Sequence, residues 1–501
     1  MEVFTHLLEG LQGIMNAPSL LYCLVGVTLG TFIGALPGMG SSAGIAILLP
    51  IAFSLDPKNA LIMFCGIFYG TMYGGTITSV LLNIPGESSS VLSAFEGFKL
   101  AKKGRGGVAL GIAAIGSFIA GTLGVIALTF FAPELANKAL LFGPAEKFAV
   151  IALAFAFVSS LSSGPMSKSF VSLCLGLIAA TVGQDILVGD SRLTFGTTFL
   201  TEGFEFAPVC IGFFALTEIM SSMEDKGPIE EISLSQLGRI IPSAREMKES
   251  ILPMTRGTIV GFITGVMPGA GATIATFLSY GIEKKFSKHP EEFGEGSMDA
   301  IASTESANNA SSAGSMVPLM ALAIPGSATT AILLSGFLMF GLTPGPMLFV
   351  QHPDIAWGLI ASMYVSNVML VTMNIVGIPF FVWAVKKSTP FMSALVVTIT
   401  VAGVYSINQY MRDVWLMLIC GLVGFILTKL GYSLVSILLG LVLGRLAEYS
   451  FRSALIISDG SFATFFEKPI CLVLLIICGI MLVAPPIWNE IKKKKRPKQP
   501  A

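Results

Sequence analysis

Four Pro-Gly pairs interrupt apolar stretches of this chain, and each is followed by small or hydroxyl-bearing residues. Proline ends a helix because it lacks a backbone N–H, and glycine allows the chain to turn. A helix that starts directly after such a break has free N–H groups and a partial positive charge at its N-terminus. Because helix N-termini bind anions, carboxylates included, four such ends at one place would form a site for a small polyanion.

The candidate anion-binding residues lie in these four breaks and at the helix starts that follow them. A single Pro-Gly pair is more simply explained as a kink or a loop, since both residues are frequent in membrane helices. Four pairs in matched order favour a binding site instead. The candidates are Pro37, Gly38, Gly40, Ser41 and Ser42 in the first break, Asn83, Pro85, Gly86 and Ser88 in the second, Pro268, Gly269, Gly271 and Thr273 in the third, and Pro325, Gly326, Ser327 and Thr329 in the fourth.

The breaks divide the chain into two similar halves. Pro37 and Pro268 are 231 residues apart, and Pro85 and Pro325 are 240 apart, both close to half of the 501 residues. Interrupted apolar segments at corresponding places in two halves are typical of secondary transporters, in which they form the substrate site near the middle of the membrane. We therefore expect two inverted-topology repeats whose breaks meet at mid-membrane.

A polar stretch, STESANNASSAGS, stands out shortly before the fourth break. Amide and hydroxyl oxygens are suitable ligands for a hard cation such as Na⁺. An acidic residue within a membrane segment often carries a proton instead, so the coupling ion stays open between Na⁺ and H⁺. The alternative is an N-terminal capping cluster that faces a loop. The candidate cation ligands are Glu305, Asn308, Asn309, Ser311 and Ser312.

The composition indicates which elements must position these residues. Hydrophobic residues make up 53% of the chain and charged residues 12%, against about 25% charged residues in a typical soluble domain. Long apolar stretches such as CLVLLIICGIMLVAPPIW predict membrane-spanning helices. The sequence therefore predicts an all-α polytopic membrane protein with about 10–12 membrane segments, in which interrupted helices and re-entrant hairpins carry the breaks.

The third break is predicted to be the tip of a re-entrant hairpin. Eleven residues separate Arg256 from Pro268, and twelve span Gly271 to Ile282. Each arm is therefore about 16–18 Å long, whereas the hydrocarbon core is about 30 Å thick. Since both outer ends are basic, we expect this hairpin to enter from the cytoplasm and the first break to be its counterpart from the opposite side.

Charge clusters define the predicted domains and their orientation. Cytoplasmic loops of membrane proteins are rich in Lys and Arg, which places the lysine-rich C-terminus in the cytoplasm and predicts that AVKKST is a cytoplasmic loop. Arg445 and Arg452 fit this orientation less well. The predicted domains are an N-terminal transmembrane repeat (1–222), a cytoplasmic linker (223–250), a C-terminal transmembrane repeat (251–487) and a basic cytoplasmic tail (488–501).

Several kinds of function have no support in the sequence. No Walker A motif, HExxH motif or evident nucleophile–base pair is present, so an ATPase or another enzyme is not expected. The seven cysteines form no CxxC motif and the three histidines are not paired at metal-site spacing, so no metal site and no cofactor is expected. The lysine-rich tail follows a membrane span, which favours an orientation signal over a nucleic-acid site.

Together the motifs resemble the large membrane subunit of the tripartite tricarboxylate transporters, the TctA-type family. Glu96 departs from the family, which usually has an aspartate before this glycine, but it keeps the acid. The resemblance rests on segments between residues 34 and 348: GALPGMGSSAGIAILLPIAF, YGGTITSVLLNIPGESSSV, FEGFKLAKKGRGG, GVMPGAGATIATFLSYGIEKKFSKHPEEFGEGS, ESANNASSAGSMVPLMALAIPGSATTAILL and GLTPGPMLF.

The resemblance implies a location, partners and an activity. Family members lie in the bacterial inner membrane, act with a small membrane subunit and a periplasmic solute-binding protein, and take up carboxylates such as citrate on a cation gradient. The expected function is thus cation-coupled secondary uptake (symport) of a di- or tricarboxylate by alternating access. The alternative is a carboxylate channel or an exporter that needs no binding protein, and homo-oligomerisation stays open.

Valine at a break glycine tests whether the breaks do more than bend the chain. Gly38→Val and Gly269→Val should each reduce carboxylate uptake severely, because a branched side chain blocks the close approach of a ligand to the backbone. Membrane insertion should be unaffected, as measured by the amount of protein in the membrane fraction. Normal uptake by both variants would make the breaks ordinary kinks.

Overall fold

The fold is given by a computed structural model that describes residues 2–36, 39–83, 85–161, 165–185, 187–224 and 237–495. Most of these residues are helical, and the only strands among them form one short antiparallel hairpin. Parts of three predicted features lie outside the described residues: Pro37 and Gly38 of the first break, residues 225–236 of the linker, and residues 496–501 of the tail.

Apolar segments preceded by capping residues form the helices. Asn16, Asp56 and Ser243 each accept a hydrogen bond from a backbone N–H of the first turn that follows. A π-helical turn, Gly212–Leu216, joins α9 to α10. The elements in chain order are α1 (Glu2–Ile14), α2 (Ala17–Ala35), α3 (Ser41–Ala52), α4 (Pro57–Leu82), α5 (Val91–Lys102), α6 (Gly106–Ala139), α7 (Pro144–Leu161), α8 (Met166–Ala180), β1 (Gly183–Gln184), β2 (Ser191–Arg192), α9 (Phe206–Ile211), α10 (Thr217–Glu224), α11 (Ala244–Val266), α12 (Gly271–Phe286), α13 (Met298–Leu322), α14 (Ala328–Met339), α15 (Pro346–Gln351), α16 (Pro353–Val376), α17 (Ile378–Asn408), α18 (Met411–Lys429), α19 (Leu434–Ile457), α20 (Thr464–Glu467) and α21 (Pro469–Lys495).

Six of the described helices are long and apolar enough to cross a membrane, and they confirm the prediction of an all-α polytopic membrane protein. They are α2, α4, α6, α16, α18 and α19. α3 and α14, which follow the first and fourth breaks, have 12 residues each. At about 18 Å they are too short to cross a hydrocarbon core of about 30 Å. The predicted total of 10–12 segments stays a prediction.

The chain divides into two compact units. The first comprises Met1–Leu140 and Ala207–Ile426, and the second comprises Leu141–Phe206 and Leu427–Ala501. All four breaks and the polar stretch belong to the first unit. The predicted repeats follow the two halves of the sequence, which these units do not test, so their boundaries stay a prediction.

Glycines allow long helices of the first unit to pack with their backbones in contact. A Cβ atom at Gly30 of α2 would lie 2.5 Å from the carbonyl oxygen of Ile67 on α4, and one at Gly261 of α11 would clash with the backbone of Ala307 on α13. Small residues are typical where membrane helices approach closely, because lipid supplies no hydrophobic force to hold helices together. Each of these glycines belongs to a row of three that contact the neighbouring helix in this way. The rows are Gly26, Gly30 and Gly34 on α2, and Gly257, Gly261 and Gly265 on α11.

The contacts of the two glycine rows match at the offsets found in the sequence. The glycines of α2 and α11 are 231 residues apart, and their partners on α4 and α13 are 240 apart. Asn83 and Ala323, also 240 apart, both follow their helices in the left-handed conformation, with φ of 56° and 58°. These equivalences support a repeat, and the inverted topology of its two copies stays a prediction.

The third break joins helices of unequal length. α11 begins at Ala244 and has 23 residues, about 35 Å, so it extends well beyond Arg256. Arg256 Nε lies 3.0 Å from the carboxylate of Glu283 on α12, which is fully buried, although the two groups are not aligned as a hydrogen bond. Because this ion pair compensates the charge of the arginine within the protein, Arg256 by itself does not establish where a membrane arm ends. The re-entrant topology stays a prediction.

The segment AVKKST lies inside α17, which runs without interruption from Ile378 to Asn408. The prediction of a loop at this point is therefore wrong for the backbone. Basic residues are a signal for the side of a loop, but they do not by themselves end a helix, because lysine has a high helix propensity.

Arg445 and Arg452 are both paired within the second unit. Arg452 Nη1 lies 2.6 Å from Asp185 and 3.0 Å from Glu448, and this guanidinium lowers the pKa of Asp185 to about 2. Arg445 donates to three backbone carbonyls: that of Ala180, the last residue of α8, and those of Val182 and Glu202 between α8 and α9. Since both arginines serve these local contacts, their positions do not have to follow the charge rule for cytoplasmic loops.

Gly30→Ala should destabilise the first unit because the added methyl group overlaps the backbone of Ile67. Overpacking of this kind costs about 1–3 kcal/mol. Gly281→Ala is the matched control, since nothing lies within 4 Å of a Cβ atom at this α12 position and alanine stabilises a helix over glycine by about 1 kcal/mol. Thermal unfolding in detergent measures both effects. Unchanged or higher stability of Gly30→Ala would contradict backbone contact at this position.

Candidate functional site

The first break is joined to the second through Glu87 and to the fourth through a hydroxyl contact. The Glu87 carboxylate accepts hydrogen bonds from the backbone N–H and the hydroxyl of Ser41, the first residue of α3. Gly40, the N-cap of α3, lies against the same side chain, since a Cβ atom there would be 3.0 Å from Glu87 Cγ. The Ser41 hydroxyl also lies 2.6 Å from that of Thr329, next to the start of α14. The anion position predicted at the start of α3 is thus filled by a carboxylate of the chain itself.

The third break connects to the fourth and to the second, which closes a ring of contacts. The N–H of Gly269 donates to the carbonyl oxygen of Gly326 at 3.0 Å. The hydroxyls of Ser88 and Thr273 lie 2.7 Å apart and join the second break to the third. The four breaks, which are far apart in sequence, therefore meet at one place in the first unit.

The other predicted anion-site residues lie at the turns of this ring. The Ser327 hydroxyl caps α14 by accepting a hydrogen bond from the N–H of Thr330 at 3.2 Å. Gly86 and Gly326 lie directly against the backbone of glycines on α2 and α11, where no larger residue fits. Gly271 adopts the left-handed conformation, with φ of 61°. The remaining described candidates, within the breaks or in the first turn of α3, are Ser42, Asn83, Pro85, Pro268 and Pro325.

The ring offers the groups that bind a carboxylate. The hydroxyls of Ser88 and Thr273 can donate hydrogen bonds, and the start of α12 has backbone N–H groups that no side chain of its N-cap, Ala270, satisfies. Hydrogen bonds to a charged acceptor are about twice as strong as those between neutral groups. The ring therefore offers hydrogen-bond donors to a carboxylate-bearing ligand, beside the Glu87 carboxylate that the chain itself supplies.

The polar stretch lies in the middle of α13, not at its start. α13 begins at Met298 after the capping residue Ser297, so the alternative of a capping cluster is wrong. Glu305 is 1% exposed, and its carboxylate accepts hydrogen bonds from Thr76 on α4, at 2.7 Å, and from Ser93 on α5. No ion pair within 4 Å involves Glu305 in the described part of the chain, so this acid is held by hydroxyl groups alone.

Asn309 lies one turn after Glu305 on the same face of α13. Its Nδ2 donates to Ser117 on α6 at 2.7 Å and to the carbonyl oxygen of Glu305 at 3.2 Å. Its Oδ1 is buried and has no hydrogen-bond partner in the described ranges, and the same holds for Asn308 Oδ1 and Ser311 Oγ. Buried oxygens without a donor are costly, and a bound cation would satisfy them.

The five cation candidates do not all lie on one face of α13. Asn308 Nδ2 lies 3.5 Å from the carbonyl oxygen of Met72 on α4, and Ser312 donates back to the carbonyl oxygen of Asn308 at 3.2 Å. Successive residues of a helix are rotated by about 100°, so Asn308 and Asn309 contact different helices. Glu305 nevertheless lies next to both asparagines, since Glu305 and Asn308 contact α4 one turn apart, at Thr76 and Met72. Ser311, six residues after Glu305, is the candidate that the helix rotation turns away from this face.

A small cleft lies beside the partners of Glu305 and Asn309. Its polar lining consists of Tyr73 and Thr76 on α4, Ser117 on α6, and Asn374 on α16. Two of these residues, Thr76 and Ser117, are the groups that hold the acid and the amide described above. The cleft has room for about one water molecule beside them.

Glu96 anchors the start of α13, a role that its motif did not reveal. It is fully buried on α5 and accepts four hydrogen bonds. The donors are the hydroxyl of Tyr280 at 2.6 Å and the backbone N–H groups of Gly294, Gly296 and Ser297 at 2.6, 2.8 and 3.0 Å. Since Ser297 is the N-cap of α13, Glu96 fixes the position of the helix that carries the polar stretch.

Two acidic residues near the ring were missed by the sequence reading. Glu87 had a local signal, because IPGESSS has an acid where the matching IPGSATT has a serine. Glu218 on α10 had none, since only the fold brings it close enough to Glu87 for the two carboxylates to repel each other. The ring therefore contains negative charge as well as donors for an anion.

The model of the tripartite tricarboxylate transporter TctA family matches residues 20–439 of the chain. The chain belongs to this family. TctA proteins are transporters, so the chain is a membrane transport protein of the tripartite tricarboxylate type and not an enzyme.

Two relatives from Agrobacterium vitis resemble this TctA-family chain, and no solved structure matches it. An uncharacterized 52.8 kDa protein in the TAR-I ttuC' 3' region is 40% identical over 495 residues, which are 99% of this chain and 98% of that protein. An uncharacterized protein in the TAR-II ttuC' 3' region is 38% identical over 233 residues, which are 46% of this chain and 96% of that protein.

Glu96→Ala should destabilise the protein strongly, because it leaves three backbone N–H groups and the Tyr280 hydroxyl without their acceptor. Unsatisfied buried groups cost about 1–3 kcal/mol each before relaxation, so a total loss of roughly 3 kcal/mol or more is expected. Glu295→Ala, in the adjoining loop, is the control: its side chain is 76% exposed and the change should stay within about 0.5 kcal/mol. Thermal unfolding in detergent compares the two, and equal shifts would refute the anchoring role.

Proposed function

We propose that this chain is the large permease subunit of a binding-protein-dependent transporter that takes up a di- or tricarboxylate, such as citrate, by cation-coupled symport. It lies in the bacterial inner membrane with its C-terminus in the cytoplasm. A small membrane subunit and a periplasmic solute-binding protein complete the system. The binding protein delivers the acid to the permease, which moves it by alternating access.

The observation that carries this proposal is the ring formed by the four breaks. A break in an apolar helix needs a partner for its free backbone groups, and here the breaks contact one another through Ser41, Ser88, Thr273 and Gly269. Transporters with interrupted helices bind their substrates at such meeting points. Helix starts and hydroxyls favour an anionic substrate over a cationic one.

Coupling to a cation follows from the environment of Glu305. A buried carboxylate held only by hydroxyls is stable when it carries a proton or contacts a metal cation, since an isolated charge is costly away from water. α13 connects this acid directly to the fourth break, because the helix ends at Leu322 and the break follows. Binding and release of the ion at Glu305 and Asn309 would thereby alter the contacts among the breaks in the ring.

A channel, or an exporter without a binding protein, is the competing function. A channel needs a continuous aqueous path, whereas α13 is buried against its neighbours over nearly its whole length. Saturable uptake that exchanges labelled for unlabelled acid distinguishes a carrier from a channel. Dependence of uptake on the solute-binding protein distinguishes an importer of this type from an exporter.

Glu305→Gln should uncouple transport from the ion gradient. In liposomes that contain the chain and its partner subunits, uptake of labelled citrate on an imposed sodium or proton gradient should fall at least tenfold. Exchange of citrate at equal ion concentrations on both sides should continue, because the amide mimics the neutral or cation-loaded acid.

Asn309→Ala should instead raise the sodium concentration for half-maximal uptake if Na⁺ is the coupling ion.

Glu249→Gln is the matched control, since this glutamate is 60% exposed on α11 and far along the helix from the third break. It should transport like the unmodified protein. Normal gradient-driven uptake by Glu305→Gln would remove Glu305 from the coupling site. Uptake that persists when both gradients are collapsed would overturn cation coupling as a whole.

A further inference from the structure

Positions 87 and 327 are equivalent in the two halves of the chain, and they differ in one respect. They are 240 residues apart, the offset that relates the second break to the fourth. Both have the same local backbone arrangement: the N–H of Glu87 donates to Ser90 Oγ at 3.2 Å, and the N–H of Ser327 donates to Thr330 Oγ1 at 2.8 Å. One position has a carboxylate where the other has a hydroxyl.

The two side chains reach different places because they differ in length. Ser327 stays within its own helix start and accepts from the N–H of Thr330. Glu87 extends to the start of the neighbouring helix, α3, where Ser41 donates to it through both its N–H and its hydroxyl. The chain therefore supplies its own anion to one of the two hairpins of the ring.

The matching hairpin of the second half has no such occupant. Gly271, at the start of α12, corresponds to Gly40, and each lies beside the residue at the equivalent position: Glu87 for Gly40, and Ser327, at 3.8 Å, for Gly271. The N-cap of α12 provides no side-chain acceptor, and the Ser327 hydroxyl is already engaged. Among the described residues, no carboxylate therefore occupies the start of α12, in contrast to the start of α3.

We propose that Glu87 determines how many carboxylate groups the substrate can have. This inference rests on the proposed function, because it concerns the same ring. The Glu87 carboxylate occupies one of two equivalent anion positions. An additional carboxylate of the substrate would have to approach Glu87, which repels it through a medium less polar than water. Acids with fewer carboxylates avoid that repulsion.

Restoring the symmetry of the two halves tests this role. Glu87→Ser gives the first half the residue of the second, and Glu87→Gln keeps the shape and one acceptor oxygen while removing the charge. Binding of butyrate, succinate and tricarballylate, with one, two and three carboxylates, is measured by calorimetry on the purified full chain at pH 7. The binding protein is omitted so that its own preference does not contribute.

Both variants should bind tricarballylate more tightly relative to succinate, by roughly tenfold or more, as expected when a like charge is removed from a partly buried site. Ser327→Glu is the reciprocal variant and should shift the same ratio the opposite way. Glu249→Gln, on the exposed face of α11, should leave it unchanged. Thermal unfolding establishes which variants are folded. If Glu87→Ser does not fold, Glu87→Gln is used for the comparison instead.

If the unmodified chain binds all the acids and the folded Glu87 variants have the same ratio of tricarballylate to succinate affinity, this inference is overturned and the proposed function is not. Loss of all binding in folded Glu87→Gln would overturn it as well, because Glu87 would then support the site instead of limiting it. If the unmodified chain binds and transports none of the acids with its partners present, the proposed function fails and this inference fails with it.

Discussion

The need to satisfy backbone groups at helix breaks governs the structure of the first unit. Inside an apolar protein a break leaves N–H and C=O groups that lipid cannot bond, so each break must find partners within the chain. The breaks find them in one another: the N–H of Gly269 donates to the carbonyl oxygen of Gly326, and the N–H of Ser41 donates to the Glu87 carboxylate. Close backbone packing along the glycine rows of α2 and α11 brings them together. A solute that enters the ring would replace contacts that the breaks otherwise make among themselves.

The buried acids of this unit differ in how their charge is compensated, and the difference separates structure from function. Glu283 has an arginine, Arg256, at 3.0 Å. Glu96 has four hydrogen-bond donors, three of them from the backbone, and is fixed by them. Glu305 has only two hydroxyls, and Glu87 has Ser41 and Ser89. Glu283 and Glu96, which have the strongest compensation, hold helices in place. Glu305, with the fewest donors, is the acid to which we assign the coupling ion in the proposed function.

Much of the candidate site was predictable, because proline and glycine have conformational effects that need no tertiary context. The Pro-Gly pairs at Pro268 and Pro325 predicted helix ends, and the matched offsets of 231 and 240 residues predicted related halves. Proline alone is a weaker signal, because Pro253 and Pro318 lie inside α11 and α13. The role of Arg256 was not predictable in the same way. Its charge indicates the basic end of a short arm, but its partner Glu283 is on another helix and α11 begins twelve residues earlier. Glu96 likewise shows only a changed acid in the sequence, because three of its four donors come from the distant loop before α13 and the fourth, Tyr280, from α12.

By itself the sequence determined the all-α membrane class, the four breaks, their pairing in two halves and the family. These properties depend on local composition and on the restricted backbone of proline and glycine. Only the tertiary structure decided which residues meet: that Ser41 contacts Thr329, that Glu305 pairs with Thr76, and that Asn308 and Asn309 contact different helices. Such pairings depend on how closely two helices approach and how each is rotated about its axis. Small residues far apart in the chain determine both together. Only the tertiary structure likewise decided that Glu87 occupies one anion position, because its side chain reaches the start of a neighbouring helix.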